Sequence, residues 1–235
     1  MTTTAIWNPY YEAWKAVGLR QEVRGWGWDF YGTTPIRDAV RKSGEAFRKR
    51  EELVMRYSWA VPSPEAIRWI AKRCDRIAEM GAGRGYWAKL LADAGVDVIA
   101  YEPTVELGDL CGNTWHACSE AVGLYFDLRQ GDSTKAAAHK DRTLMLCWPP
   151  YDDPMAQTAL EHYQGSQVLF IGEGDGGCCG GDGFWKIIAD EWLEVGYTDI
   201  PQWIGMRDWV TIYRHKDRPA TKRLCKIMLE ESDAA

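Results

Sequence analysis

The 235-residue sequence has no window approaching the roughly 18 uncharged apolar residues of a membrane-spanning helix, and its Met-Thr-Thr-Thr-Ala start lacks the basic region and apolar stretch of an export signal. A cytoplasmic chain with no membrane partner is the expectation. There is no Cys-x-x-Cys pair: the seven cysteines, an odd number, are scattered at 74, 111, 118, 147, 178, 179 and 225, which fits reduced thiols better than a disulfide framework. Cys111, His116 and Cys118 have no second pair at finger-like spacing, so no metal is expected. Nor is there a surplus of positive charge. The formal net charge of −6 argues against a broadly basic nucleic-acid surface. Two local clusters run the other way, with seven basic and four acidic residues over 37–56 and six basic and one acidic over 214–226. Each reads as a solvated face, and together they fit a basic rim. Internal repeats and interdomain linkers are also lacking.

What is abundant is apolar and aromatic. An apolar share of 46% is enough for a core of one large domain. Of thirteen tryptophans, Trp7, Trp14, Trp26 and Trp28 fall in the first thirty residues, interleaved with Tyr10, Tyr11, Phe30 and Tyr31. Two readings are open: aromatic anchors that fix an irregular segment onto the core, or a stacking surface for bases. The little basic charge in that segment favours anchoring.

The chain is organised around residues 76–85, Arg-Ile-Ala-Glu-Met-Gly-Ala-Gly-Arg-Gly. Ile77, Ala78 and Met80 suit a buried strand. Gly81, Gly83 and Gly85 permit a tight turn and a close backbone approach, and from Tyr86 a helical pattern carries Trp87, Leu90, Leu91 and Ala94 on one face. A phosphate-cradling loop needs Gly-Lys-Ser/Thr after its glycines, and a dinucleotide loop spaces its last two glycines three apart. Neither condition is met. Glu79-x-Gly81-x-Gly83-x-Gly85 resembles motif I of the class I S-adenosylmethionine (SAM) dependent methyltransferases. The resemblance implies SAM as cofactor, with Glu79, Gly81, Ala82, Gly83, Gly85 and Trp87 around its methionine part. It also implies that Glu102, at the end of the next strand, takes the ribose hydroxyls, and that Asp132, beyond a third strand, accepts from the adenine amine.

Strands and helices alternate from Arg76 onward, which predicts an α/β fold: a Rossmann-like, seven-stranded, mostly parallel sheet with helices on both faces. A helical, tryptophan-rich extension over 1–75 precedes it as a cap, the SAM-binding catalytic domain spans 76–214, and 215–235 is a charged tail. In the extension, Thr34-Pro35 starts a long basic helix ending near Tyr57, and Ser63-Pro64 starts another. Further strands are expected at 96–101, 124–128, 144–147, 168–171, 203–204 and 209–213. Helices are expected at 105–122, 154–163 and 184–195.

Ligands in open α/β sheets lie beyond the carboxyl ends of the strands. The glycine loop, Glu102, Trp148-Pro149-Pro150-Tyr151 and a loop with seven glycines over 172–183 all fall there. Trp148-Pro149-Pro150-Tyr151 resembles motif IV of the amino-methyltransferases, Asp, Asn or Ser followed by Pro-Pro and an aromatic. That resemblance implies a Pro149 carbonyl accepting from an exocyclic amine and a Tyr151 ring stacked on a base. Trp148 departs from it, because an indole donates but does not accept. Asp152, Asp153 and Glu173 are the nearest candidates for the missing acceptor; otherwise Trp148 walls a different pocket. The segments 57–62, Trp-Pro-Pro and Gly-Glu-Gly-x-Gly-Gly-Cys are also similar to a group of methyltransferase-like proteins of bacteria and phages, a likeness that carries no substrate. The expected activity is methyl transfer from SAM to an exocyclic amine, adenine N6 of single-stranded or flipped-base DNA or RNA. The alternatives are a nitrogen or oxygen of a small metabolite, and a SAM-binding module without turnover.

Overall fold

The computed structural model of the protein describes residues 6–17, 36–105, 123–203 and 205–218, without the side chains of 36–43 and 46. Seven strands form one sheet: β1 (Arg76–Met80), β2 (Asp97–Glu102), β3 (Arg129–Gln130), β4 (Thr143–Cys147), β5 (Gln167–Gly172), β6 (Trp192–Asp199) and β7 (Trp209–His215). Their order is β3-β2-β1-β4-β5-β7-β6. The first five strands run parallel, whereas β7 is antiparallel to both β5 and β6. This is the expected seven-stranded, mostly parallel Rossmann-like fold. The chain moves outward from β1 to β3 and then returns to place β4 against β1, so strand order reverses between β1 and β4. In an open α/β sheet a ligand lies beyond the carboxyl ends at such a point.

The two-residue period of the strands separates two cores. Ile77, Met145, Leu169, Ile171, Val210 and Ile212 face one side with the helices α3 (Pro64–Arg73) and α4 (Tyr86–Asp93). Ala78, Met80, Leu144, Leu146, Val168 and Phe170 face the other, with α5 (Met155–His162) and α6 (Asp182–Glu191). The first side also receives the N-terminal extension. Its helix α1 (Pro9–Val17) buries Tyr10, which stacks on Tyr57 at 5.1 Å and accepts from the Trp203 indole at 3.2 Å. Asn8 bridges the Pro62 carbonyl and the Tyr86 hydroxyl at 2.7 and 2.9 Å. Trp14 donates to the Gln202 carbonyl at 3.3 Å. Among the described aromatics, then, Tyr10 and Trp14 anchor the segment, while Trp7 is exposed. Trp26, Trp28, Phe30 and Tyr31 lie outside the described residues.

Helix α2 (Ile36–Arg56) ends one residue before Tyr57, and α3 starts on the expected cap, the Ser63 hydroxyl accepting from the Ala66 amide at 3.1 Å. Three expectations are corrected. The third strand is Arg129–Gln130, because 124–128 crosses the glycine loop instead of pairing with β2: the Tyr125 amide donates to the Arg84 carbonyl at 2.9 Å, and Leu128 packs beside Ala88 and Ala100. Helix α6 stops at Glu191, and Trp192 opens β6; Trp192 is buried against Tyr163 and His215, which a strand beside β7 provides. Trp203 belongs to no strand and is buried for packing, with its indole spent on Tyr10. Position 204, the expected helix beyond residue 105 and the tail beyond residue 218 lie outside the described residues, as do Cys111, His116, Cys118 and Cys225. The described cysteines, 74, 147, 178 and 179, are all free thiols. No described helix is long and apolar enough to cross a membrane.

Candidate active site

At the end of β1 the backbone turns through Gly81, Gly83 and Gly85 with φ of 71°, 56° and 75°. Only glycine adopts such values at little cost. A Cβ on Gly81 would lie 2.9 Å from the Met155 methyl, and one on Gly85 would lie 2.8 Å from Phe126 Cβ. The loop is held from behind: the Ala82 amide donates to the Tyr101 carbonyl at 2.9 Å, and the Gly83 amide donates to Glu102 Oε2 at 2.9 Å. Glu102 Oε1 accepts from the Thr104 hydroxyl at 3.1 Å. The acid expected at a ribose is therefore also the clamp of the glycine loop.

Glu79 is the unusual group here. It is 1% exposed, and its Oε2 has no hydrogen-bond partner. Burial, and secondarily the charge of Glu102, push its carboxyl up to about 8. Trp87 is a core residue whose indole donates to the Ala60 carbonyl at 3.3 Å. Asp132 caps the 3-10 helix Ser133–Ala138 by accepting from the amide and hydroxyl of Thr134 at 3.0 and 2.5 Å. Those two bonds hold its carboxyl below the usual aspartate range.

Beyond β4 the chain enters Trp148 at φ 50°, a positive value on a bulky residue that marks local strain. Several contacts hold it there. The Trp148 amide donates to the Ile171 carbonyl at 2.7 Å, its indole donates to Asp208 Oδ1 at 2.8 Å, and its ring stacks on Trp59 at 5.1 Å. Gly172 makes room: a Cβ at this position would lie 2.9 Å from Cys179 Sγ and 3.5 Å from Trp148 Cδ1. The Pro149 carbonyl accepts the Gly180 amide at 2.9 Å, and Pro150 pairs with Cys179, so the second glycine-rich loop is zipped onto the Trp-Pro-Pro segment. Tyr151 is 46% exposed and donates to Asp182 Oδ1 at 3.0 Å.

Glu173 serves the second loop from within. Its Oε2 accepts from the Cys178 amide at 3.0 Å and its Oε1 from the Arg207 amide at 2.9 Å. Asp208, just before β7, is 1% exposed, and its Oδ2 has no partner. Burial pushes its carboxyl up to about 7, with Glu173 adding to the rise and the Trp148 bond and Arg50 opposing it.

The Trp-Pro-Pro segment and the second glycine-rich loop border an open cavity of about 440 Å³ lined by Arg50, Trp59, Trp148, Tyr151, Asp152 and Met206, among others. Of the expected substrate-side residues, Trp148 and Tyr151 thus share one cavity, whereas Pro149 and Glu173 are engaged within the chain. Arg50, Trp59, Met206 and Asp208 were not among the expected site residues. Asp208 had one available signal, an acid at the carboxyl edge of the sheet. Arg50 and Trp59 enter from the extension, and nothing in their local sequence ties them to β4. Among the described residues no cluster of His, Cys, Asp and Glu is arranged to hold a metal ion.

No family model and no curated protein matches the chain. Solved structures do. Magnesium protoporphyrin IX methyltransferase from Synechocystis with bound SAM is similar at 9% identity and TM-score 0.45, over 88% of this chain and 91% of that one. A candidate tRNA (m1A22) methyltransferase from Streptococcus pneumoniae is similar at 8% identity and TM-score 0.42, over 74% and 80%. A candidate methylase from Haemophilus influenzae is similar at 12% identity and TM-score 0.37, over 64% and 86%. The fold of this chain rests on the strand order described above.

Proposed function

We propose that the protein is a SAM-dependent methyltransferase whose acceptor is a small planar molecule held in the aromatic cavity. The observation that carries this reading is Glu79 Oε2, a buried acceptor without a partner at the strand-order reversal, beside a loop of three left-handed glycines. A desolvated carboxyl next to a second carboxylate is a receptor for a cation, and the methionine part of SAM carries an ammonium and a sulfonium. Gly81, Ala82, Gly83 and Gly85 would pass beneath that part, with Glu102 and Asp132 toward the ribose and adenine. When bound, SAM supplies an electrophilic methyl group on sulfur. The chain's own work is positioning: Trp59, Trp148 and Tyr151 hold a planar acceptor so that a lone pair meets that methyl in line, and the loops over 148–151 and 172–183 limit water.

A small molecule fits this cavity better than the motif IV chemistry of a nucleobase amine. The Trp148 indole donates and does not accept, so the side-chain acceptor that would pair with the Pro149 carbonyl to orient an exocyclic amine is missing. The second reading, adenine N6 in a single-stranded or flipped base, draws support from helix α2, where Arg48 and Lys49 flank the cavity residue Arg50 on a partly solvated surface. It predicts nucleic-acid binding that weakens steeply with salt and with loss of Arg48 and Lys49.

The deciding assay uses tritiated SAM with cell extract, the label traced to small-molecule, nucleic-acid and protein fractions. Label in the small-molecule fraction, abolished by Gly83→Val, supports the proposal; label in nucleic acid supports the second reading. No transfer to any fraction leaves a binding module and overturns both.

A further inference from the structure

One wall of the cavity carries a cation that the described residues leave unmatched. Arg50 projects from α2, is 9% exposed, and lines the cavity. Its guanidinium lies over the Trp59 and Trp148 rings at 5.3 and 5.8 Å. Its Nε is buried without a hydrogen-bond partner. No ion pair among the described residues includes it.

A guanidinium cannot escape burial by losing its proton, so it stays charged. Desolvating such an ion is costly unless an anion meets it with good geometry, and contact with two indole rings offsets only part of that cost. Asp208 lies near enough for its charge to be felt, but its Oδ1 accepts from Trp148 and its Oδ2, although without a partner, makes no bond to Arg50. Asp152, also on the lining, is exposed, so solvent screens it. Nε itself is sealed off, but Arg50 lines the cavity together with Trp59, Trp148 and Tyr151, so an anion bound there can meet the guanidinium beside aromatic side chains.

We propose that the cavity's ligand is a planar molecule bearing an anionic oxygen group, carboxylate or phosphate, which pairs with Arg50 while Trp59, Trp148 and Tyr151 hold its ring. That this ligand is the methyl acceptor rests on the function proposed above; the anion site itself does not. The fork of a guanidinium suits either oxyanion, through two parallel N–H donors.

The test is calorimetric titration of the full chain with two matched pairs: anthranilate against anthranilamide for the carboxylate, and adenosine 5′-monophosphate against adenosine for the phosphate. At least one anion should bind tenfold or more tighter than its neutral partner, and the pair that discriminates identifies the group. Arg50→Gln should erase that preference while leaving the neutral member's affinity within twofold. Arg50→Lys, which keeps the charge but loses the fork, should retain part of it. Equal affinities within both pairs of the wild-type protein, or no binding by either anion, overturns the proposal without recourse to any variant. Anion preference in a protein that transfers no label leaves this site standing and removes the methyltransferase reading; transfer to an uncharged acceptor with no anion preference does the reverse.

Discussion

At the scale of single residues, two buried acids dominate. Glu79 and Asp208 are each 1% exposed, and burial raises their carboxyls to about 8 and about 7. Because the folded state holds these protons more tightly than the unfolded chain, their contribution is fully present below the ordinary carboxylate range, about pH 4, and is lost as pH rises through 7 to 8. We expect the thermal midpoint to fall between about pH 5 and 8, and Glu79→Gln and Asp208→Asn each to flatten part of that slope; melts across this range check it. The same proton tests the proposed cofactor. If Glu79 receives an ammonium as a carboxylate, SAM binding at pH 7 should release protons, measured as a dependence of the calorimetric enthalpy on buffer ionisation, and Glu79→Gln should abolish the release. Trp148 adds a third test. Trp148→Phe keeps the stack on Trp59 but leaves Asp208 Oδ1 buried without its donor, at a cost of about 1–3 kcal/mol in chemical denaturation. Combining it with Asp208→Leu should recover part of that loss.

At the scale of elements, the two loops beyond β4 and β5 act as one unit. The Gly180–Pro149 bond and the Pro150–Cys179 pairing tie 148–151 to 172–183, while Glu173 braces the second loop by accepting the Cys178 amide and joins it to Arg207 by accepting that amide. The glycines here serve close packing as much as ligand approach: a Cβ on Gly177 would meet Glu173 Cβ at 2.5 Å and the Gly174 carbonyl at 3.0 Å. Gly177→Ala should therefore dislodge the Glu173 carboxylate, speed hydrogen exchange at the Cys178 and Gly180 amides, and leave β1 and its glycine loop unchanged. This level also shows what the sequence discloses. Caps and glycine spacing are local chemistry, so Ser63, the glycine turn after β1 and most boundaries of the parallel strands are legible. The segment 124–128 and Trp192 are apolar runs whose partners lie elsewhere in the chain, and periodicity alone does not say whether such a run is buried by a ladder or by a helix. The cavity fails for the same reason: Arg50, Trp59, Trp148 and Asp208 meet across separations that no local pattern records.

For the whole molecule, the question is whether the extension is a domain or part of the core. Its residues Tyr10, Leu53, Tyr57, Ala60 and Val61 belong to one buried cluster with Ile77 of β1, Met145 of β4 and Leu169 of β5. A separable cap would carry a core of its own, with few contacts crossing to the sheet. Tyr10 tests this most directly, since its ring stacks on Tyr57 and meets Tyr86 edge-on at 6.1 Å, while its hydroxyl receives the Trp203 indole. Tyr10→Phe removes only the acceptor and should cost about 1–2 kcal/mol; Tyr10→Ala also opens a cavity and should cost about 3–5 kcal/mol. In both variants tryptophan fluorescence and far-ultraviolet circular dichroism should report one coincident transition, because loosening the extension exposes the same face of the sheet. Two transitions, the first insensitive to a ligand bound at the glycine loop, would make the extension an independent cap. One transition shifted upward by SAM would show that Arg50 and Trp59 are positioned by the core that also carries the glycine loop. The anion site and the glycine loop would then form and melt together.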